Sequence, residues 1–269
     1  MTRGVDFDAI DRGFSAKALI YDDHDVGHPV IQWSRAQVRE HLMSLVAPGA
    51  AVLEVAAGTG ADAVFLAERG YRVHATDLAE GMVAQCRRKI AARGLADLMT
   101  AQRLSFTELE RVEGGPYDLV FSNFGGLNCL PDLNEMTRGL PRVLKPGGFV
   151  SLVIMPPLCP WELLRALRGD LRTAFRRLHP GGVMARVASA RFKTYYFRPG
   201  QVWRALGPEY RRIGVRGLCL FSPPSYLDQF ARVHPALYQR LTGLDERLAG
   251  LPLLHAMGDF FILTAQSRR

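Results

Sequence analysis

The sequence has no apolar run approaching the roughly 20 residues that span a bilayer, so a helical membrane protein is not expected. Cysteine is scarce. Cys86, Cys129, Cys159 and Cys219 are scattered through 269 residues without a CxxC pair, which argues against a zinc site or a disulfide framework. The opening stretch, MTRGVDFDAIDRGFSAKALIYDD, carries acidic residues and lacks a continuous apolar core, so it does not read as a signal peptide. A reduced, cytoplasmic protein is the expectation. Internal repeats and low-complexity tracts are missing as well. What remains is ordinary globular composition, 48% hydrophobic and 22% charged. The length allows one large α/β domain with an insertion, or two small domains.

The net charge of +8 is unevenly placed. Residues 161–216 hold thirteen Lys and Arg against only Glu162, Asp170 and Glu209, so this segment alone exceeds the surplus of the whole chain. The basic character therefore belongs to one region and has to be explained there.

Hydrophobic periodicity predicts a helix over 28–46, then strands at 51–56, 71–77, 99–106, 117–123 and 149–155. Helices are expected between them at 61–70, 80–94 and 131–148, the last closed by a Pro-Gly-Gly turn. Strands alternating with helices at this pace indicate a parallel sheet covered on both faces. After Met155 the rhythm breaks. An amphipathic basic helix is expected at 161–179, a strand at 188–197, a short helix at 198–207, closing strands at 210–222 and 258–266, and an interrupted helix over 225–250.

The chemistry-bearing stretch is AVLEVAAGTGADAVFLAERGYRVHATDLAEGM, residues 51–82. Gly58-Thr59-Gly60-Ala61-Asp62-Ala63 fits G-x-G-x-x-[GA], and Asp77 lies about 20 residues on, as a dinucleotide fingerprint requires. Three features favour another adenosine-bearing cofactor. Glu54, just before the turn, would repel a pyrophosphate but suits an ammonium. About 50 residues and a helix precede the first strand, whereas nicotinamide-binding units commonly begin the domain. RVLKPGGFVSLVIM brings a Gly-Gly turn into the fifth strand.

Together VLEVAAGTG, HATDLAEGM, YDLVFSNF and LPRVLKPGGFV, in this order over about residues 20–155, resemble the motifs of class I S-adenosylmethionine (SAM)-dependent methyltransferases. The one departure in the first motif is Ala56, where a glycine is usual. The resemblance implies a Rossmann-like α/β fold, with a doubly wound, seven-stranded, mostly parallel sheet. It further implies an N-terminal helical lid and a helical and strand cap inserted after strand five. It implies one domain over 1–269: lid 1–47, cofactor-binding core 48–155, basic cap 156–209, and closing strands with a helical insertion 210–269.

Carried over by position, the resemblance assigns Ala56, Gly58 and Gly60 to the loop passing close under the methionine portion and ribose. Glu54 would face the ammonium, and Asp77 would accept the ribose hydroxyls. Leu78 and Met82 would pack on the adenine. Ser105-Phe106 would stand where Asp and an apolar residue are frequent, and Asn123 beside the sulfonium. Tyr21, in IYDD, resembles a lid tyrosine.

Methyl transfer is an in-line displacement that needs alignment above all, and a general base only if the acceptor must shed a proton. Tyr21, His28, His179 and His255 are the base candidates, and no one of them is singled out. Each histidine has a structural or surface reading as well. Cys129 lacks the Pro-Cys context of a methylase nucleophile and reads as a small buried residue. No metal site is expected. The acceptor is expected to be a small molecule or lipid-like compound, acidic if the cap arginines hold it. For the cap helix, a plain solvated helix and a peripheral membrane contact through 161–179 both stay open. Nucleic acid is not expected, because no RNA-reading module is appended. A nicotinamide oxidoreductase and a non-catalytic SAM-binding protein stay open as alternatives, and the acceptor atom and oligomeric state are unassigned.

Overall fold

The computed structural model describes residues 4–269, apart from the side chain of His24. The first three residues of the expected 1–47 lid lie outside the described residues. The chain opens with helices α1 (Phe7–Lys17), α2 (Tyr21–Asp25) and α3 (Pro29–Leu45). Strands β1 (Ala51–Val55), β2 (Arg72–Asp77), β3 (Met99–Arg103) and β4 (Tyr117–Ser122) follow, with α4 (Ala61–Ala67) after β1 and α5 (Glu80–Ala92) after β2. Short helices α6 (Asn134–Thr137) and α7 (Leu140–Val143) lead to β5 (Leu144–Ile154).

The cap contains α8 (Pro160–Leu163), α9 (Leu171–Phe175), the hairpin β6 (Val183–Val187) and β7 (Ala190–Thr194), and α10 (Pro199–Leu206). Strand β8 (Tyr210–Leu218), helices α11 (Asp228–Val233) and α12 (Pro235–Leu248), and β9 (Phe260–Ser267) close the chain.

Seven strands form one sheet in the order β3-β2-β1-β4-β5-β9-β8, and β6-β7 stands apart. Strands β1 to β5 run parallel, while β9 is antiparallel to both β5 and β8. Near-continuous apolar strands are what a sheet buried on both faces requires. Side chains alternate accordingly: Leu53, Val55 and Val120 enter one core, whereas Val52, Leu119 and Phe121 enter the other, under α3. Strand order reverses between β1 and β4, and the crevice outside the strand ends at such a switch point is where ligands bind in open α/β sheets.

Three expectations need correcting. The segment 161–179 is not one helix. It turns through α8, a 3-10 stretch at Leu164–Arg168, a left-handed Gly169 (φ 79°) and α9, which Asp170 caps by accepting from the Thr173 N–H at 3.1 Å. The strand expected at 188–197 is present but shorter, as β7, and it pairs with β6, which was not expected, through a turn that includes Ala188 at φ 51°. The Pro-Gly-Gly stretch lies inside β5, where the pairing with β4 slips between Tyr117 and Leu119.

Candidate active site

The turn after β1 determines the site. Ala56, Gly58 and Gly60 all have positive φ, at 55°, 57° and 74°, so the chain doubles back at the strand tip and opens α4. A Cβ on Gly58 would meet nothing within 4 Å, because the space before it is open. Gly60 differs: its Cβ would lie 2.5 Å from Cys86 Sγ, so this glycine lets the turn pack on α5. Ala56 holds a conformation rare for a side-chain-bearing residue, and Gly126 opposite it leaves room for its methyl. A Cβ on Gly126 would come within 2.6 Å of the Ala56 Cβ.

Asp77 ends β2 across this turn. Its Oδ2 accepts from the Gly58 N–H and its Oδ1 from the Ala79 N–H, each at 2.8 Å. Burial without a countercharge raises its carboxyl to about 6, and those backbone donors oppose the rise. A cavity of about 230 Å³ lies in front. Tyr21, Ala56, Gly58, Asp77, Leu78, Met82, Phe106 and Asn123 all line it, and Ile10 and Phe14 of α1 and Phe192 of β7 line it as well.

Glu54, Gly60 and Ser105 do not line it. Ser105 shares its hydroxyl with that of Thr107 at 2.8 Å. Glu54 is buried beneath the turn, and its Oε2 has no hydrogen-bond partner among the described residues. Burial, and then the neighbouring Asp62, hold the Glu54 carboxyl well above the ordinary glutamate value.

A buried ionic cluster, not anticipated from the sequence, fixes the end of β4. Asp62 accepts from Arg35 (2.6 Å), Arg39 (2.7 Å) and the Asn123 amide (2.8 Å). Burial opposes its charge, but Arg35 and Arg39 outweigh that and keep Asp62 below its ordinary value. The Asn123 carbonyl in turn accepts from the Phe124 N–H at 2.8 Å, and Phe124 takes φ 47°. Asp62 stands in the first turn of α4, where an acid is an ordinary choice, so nothing in the sequence announced its two arginine partners.

Helix α2 is strapped to the same turn. Asp22 of α2 accepts from Thr59 at 2.6 Å and pairs with Lys89 of α5 at 2.6 Å. Tyr21 beside it has its phenol pushed up, chiefly by burial. Tyr21 and Phe124 also line a second cavity of about 320 Å³, which reaches Val30, Ile31, Asp259 and Phe260. The two cavities meet at this pair of aromatic residues.

The three histidines lie elsewhere. His28 caps α3, its Nδ1 accepting from Ile31 N–H at 3.3 Å. His179 is exposed and accepts from Gly181 N–H at 3.3 Å. His255 sits in the turn before β9. None of the three lines either cavity. Cys129 lines the first cavity, and burial pushes its thiol up to about 12, so it is no thiolate at neutral pH.

The residues present fit an adenosyl sulfonium better than a dinucleotide. An orphaned carboxylate lies under the turn, a second one ends β2, and the cations nearby are already paired with Asp62. A pyrophosphate there would face the Asp77 carboxylate on a cavity wall that carries no Lys or Arg among the described residues.

The family described as Methyltransferase domain matches residues 52–148. A demethylmenaquinone methyltransferase of Thermus thermophilus is 32% identical over 166 residues, covering 59% of this chain and 68% of that protein. A SAM-dependent Diels-Alderase of Talaromyces variabilis is 32% identical over 126 residues, 46% of this chain and 43% of that protein. The chain thus spans less than half the length of that second relative. In overall fold it is similar to the CcbJ methyltransferase from Streptomyces caelestis, with a TM-score of 0.61 at 17% identity over 94% of this chain and 96% of that one. The ordered motifs, the sheet order and these matches lead to one conclusion: the chain belongs to the class I SAM-dependent methyltransferase family.

Proposed function

We propose that this protein binds SAM in the first cavity and transfers its methyl group to a small-molecule or lipid-like acceptor. The observation that carries the reading is Asp77, a carboxylate at the tip of β2 that faces an open cavity beside a glycine turn. Each Asp77 oxygen accepts one backbone N–H and keeps a lone pair for a ribose hydroxyl. Leu78, Met82 and Phe106 offer apolar walls to the adenine. Glu54 lies beneath the turn and off the cavity wall, so the part assigned to it toward the ammonium runs through water, with Oε2 as the oxygen left for it. Ser105, turned to Thr107, has no assigned contact, and Gly60 acts through packing.

SAM supplies an electrophilic methyl on a sulfonium. The work left to the chain is alignment and exclusion of water. Tyr21 and α1 cover the first cavity, and Asp62 holds Asn123 and Phe124 where the two cavities meet. His28, His179 and His255 have no part in this scheme, and no general base is assigned. Acceptors of this size are consistent with the names of relatives such as the demethylmenaquinone methyltransferase.

The cap supports a finer reading, contact with an anionic membrane surface through 161–179. Leu164, Leu167, Leu171, Phe175 and Leu178 are all exposed, Leu167 by 84%, among exposed Arg165, Arg168 and Arg172. An exposed aliphatic row beside arginines matches a lipid interface better than a solvated helix. Among the described residues no helix is long and apolar enough to cross a membrane. The cytoplasm is the compartment we assign, consistent with four free, buried cysteines.

Titration with S-adenosylhomocysteine and, separately, NAD tests the cofactor reading. Heat with the first and none with the second is expected; the reverse would make the protein an oxidoreductase.

A further inference from the structure

We propose that the second cavity is the acceptor site, and that Asp259 recognises the acceptor through an O–H or N–H hydrogen-bond donor. This rests on the reading of the first cavity as the cofactor site, since the two share only Tyr21 and Phe124. The second cavity lies over the ends of β4, β8 and β9, where Phe124, Cys219 and Phe260 form part of its wall. Val30 and Ile31 of α3 face them, so the walls are largely apolar.

Asp259 is the charged exception that is built in. It is 7% exposed, and its backbone is pinned because its N–H donates to the Leu218 and Cys219 carbonyls. Its Oδ1 accepts from Arg177 Nη2 at 2.6 Å, and its carbonyl accepts from Arg177 Nη1 at 2.9 Å. Arg177 is itself buried and donates through Nε and Nη2 to Glu162, which is 1% exposed. The Glu162–Arg177 pair therefore fixes the orientation of Asp259. The second carboxylate oxygen, Oδ2, has no hydrogen-bond partner among the described residues, and Asp259 lines the cavity.

Oδ2 is the oxygen that Arg177 leaves free, so a ligand donor at the cavity wall adds a charge-assisted hydrogen bond to a carboxylate already held in place. A ligand that presents a carboxylate or carbonyl at the same place adds repulsion instead. A site built around such a group discriminates strongly against analogues lacking the donor. Some other polar groups of the wall are engaged in pairs, and the one orphaned buried atom among its described residues, Arg35 Nε, is a donor and cannot receive an O–H or N–H. Ser34 and Cys219 bond each other at 3.2 Å, and Arg35 is shared between Asp25 and Asp62. Of the two carboxylates on the wall, Asp25 is partly exposed and Asp259 is buried and held by a buried guanidinium, so donor recognition is placed at Asp259.

The test uses 2-naphthol, 2-methylnaphthalene and 2-naphthoate, which share an apolar body and differ at one substituent. Binding is followed by ligand-observed NMR, with and without S-adenosylhomocysteine, whose own affinity is measured by calorimetry. The wild-type protein is expected to prefer naphthol to the other two by at least tenfold. Asp259→Asn presents an amide in place of the free oxygen, and it should lose that preference while binding S-adenosylhomocysteine within twofold of wild type. Equal binding of the three probes by wild type, binding by none, or a preference that persists in Asp259→Asn overturns the proposal. The wild-type comparison decides even if the variant fails to fold. Loss of S-adenosylhomocysteine binding with the naphthol preference intact would instead remove the cofactor reading and leave Asp259 in its role.

Discussion

The backbone N–H of Gly58 donates to Oδ2 of Asp77 at 2.8 Å, so the turn that ends β1 and the carboxylate that ends β2 form one unit. The cavity opens on that unit, and its electrostatics are those of a desolvated acid with only backbone dipoles to support it. A carboxyl raised by burial to about 6 titrates within an accessible range. The ribose hydroxyls need an ionised acceptor. Affinity for S-adenosylhomocysteine should therefore hold from pH 8 to about 6.5 and then fall, by about tenfold per pH unit below the carboxyl value. Calorimetric titrations from pH 7.5 to 5 check this. A flat profile would mean that Asp77 does not titrate in the site.

Glu54 should trade stability for binding. Its folded-state value is raised, so the native state holds a proton that the unfolded chain gives up more readily. Stability falls as pH climbs above the unfolded glutamate value and through the folded one. Glu54→Gln removes that loss and keeps an oxygen for the Ala63 N–H. It should melt higher at pH 7.5, by on the order of 1 kcal/mol or a few degrees, with the gap closing toward pH 4. SAM affinity should drop at the same time. A variant that melts lower at pH 7.5 would refute the orphaned-carboxylate account.

Gly60→Ala should destabilise the fold by about 1–3 kcal/mol, because it adds a side chain at φ 74° and a contact 2.5 Å from Cys86 Sγ. Chemical denaturation measures the loss. Adding Cys86→Ala should recover the part caused by the clash and leave the backbone strain. Complete recovery would show that the φ value carries no strain.

The cap should bind anionic vesicles and not zwitterionic ones, through its exposed aliphatic row. Sedimentation with the two vesicle types measures this. The double variant Leu167→Ser, Leu171→Ser should lose most of the binding, without a change in melting temperature, because both residues are more than half exposed. Vesicle binding unchanged by the double variant would place any membrane contact elsewhere.

The β1–turn–α4–β2 unit was legible because its signals are local. Apolar runs bounded by Gly58, Gly60 and Gly70, with an acid at 77, leave little choice of structure over twenty-odd residues. The five parallel strands followed from the same rhythm. In the cap, β7 and α10 were legible, but the 161–179 segment was not, because it takes its shape from distant partners. Arg177 lies in an apparently continuous helical pattern, yet it is drawn into the core by Asp259, 82 positions away, and Gly169 and Asp170 break the helix that would prevent this. Ala188 turns the hairpin at a positive φ that nothing in its residue type announces.

The site divides the same way. Asp77, Leu78, Met82 and Asn123 were named by resemblance to the family's motifs, and all four line one cavity. The Asp62 cluster and Asp259 depend on α3 and on β9 meeting at the far end of the sheet. His28, by contrast, is recruited as a helix cap, an ordinary use for a polar residue just before Pro29.

The most direct test of the central claim is calorimetric titration of S-adenosylhomocysteine into the wild-type protein and Asp77→Ala at pH 7.5. The account predicts saturable binding by wild type and at least a hundredfold loss in the variant, with the fold retained by circular dichroism. Equal affinity in the two proteins would contradict it.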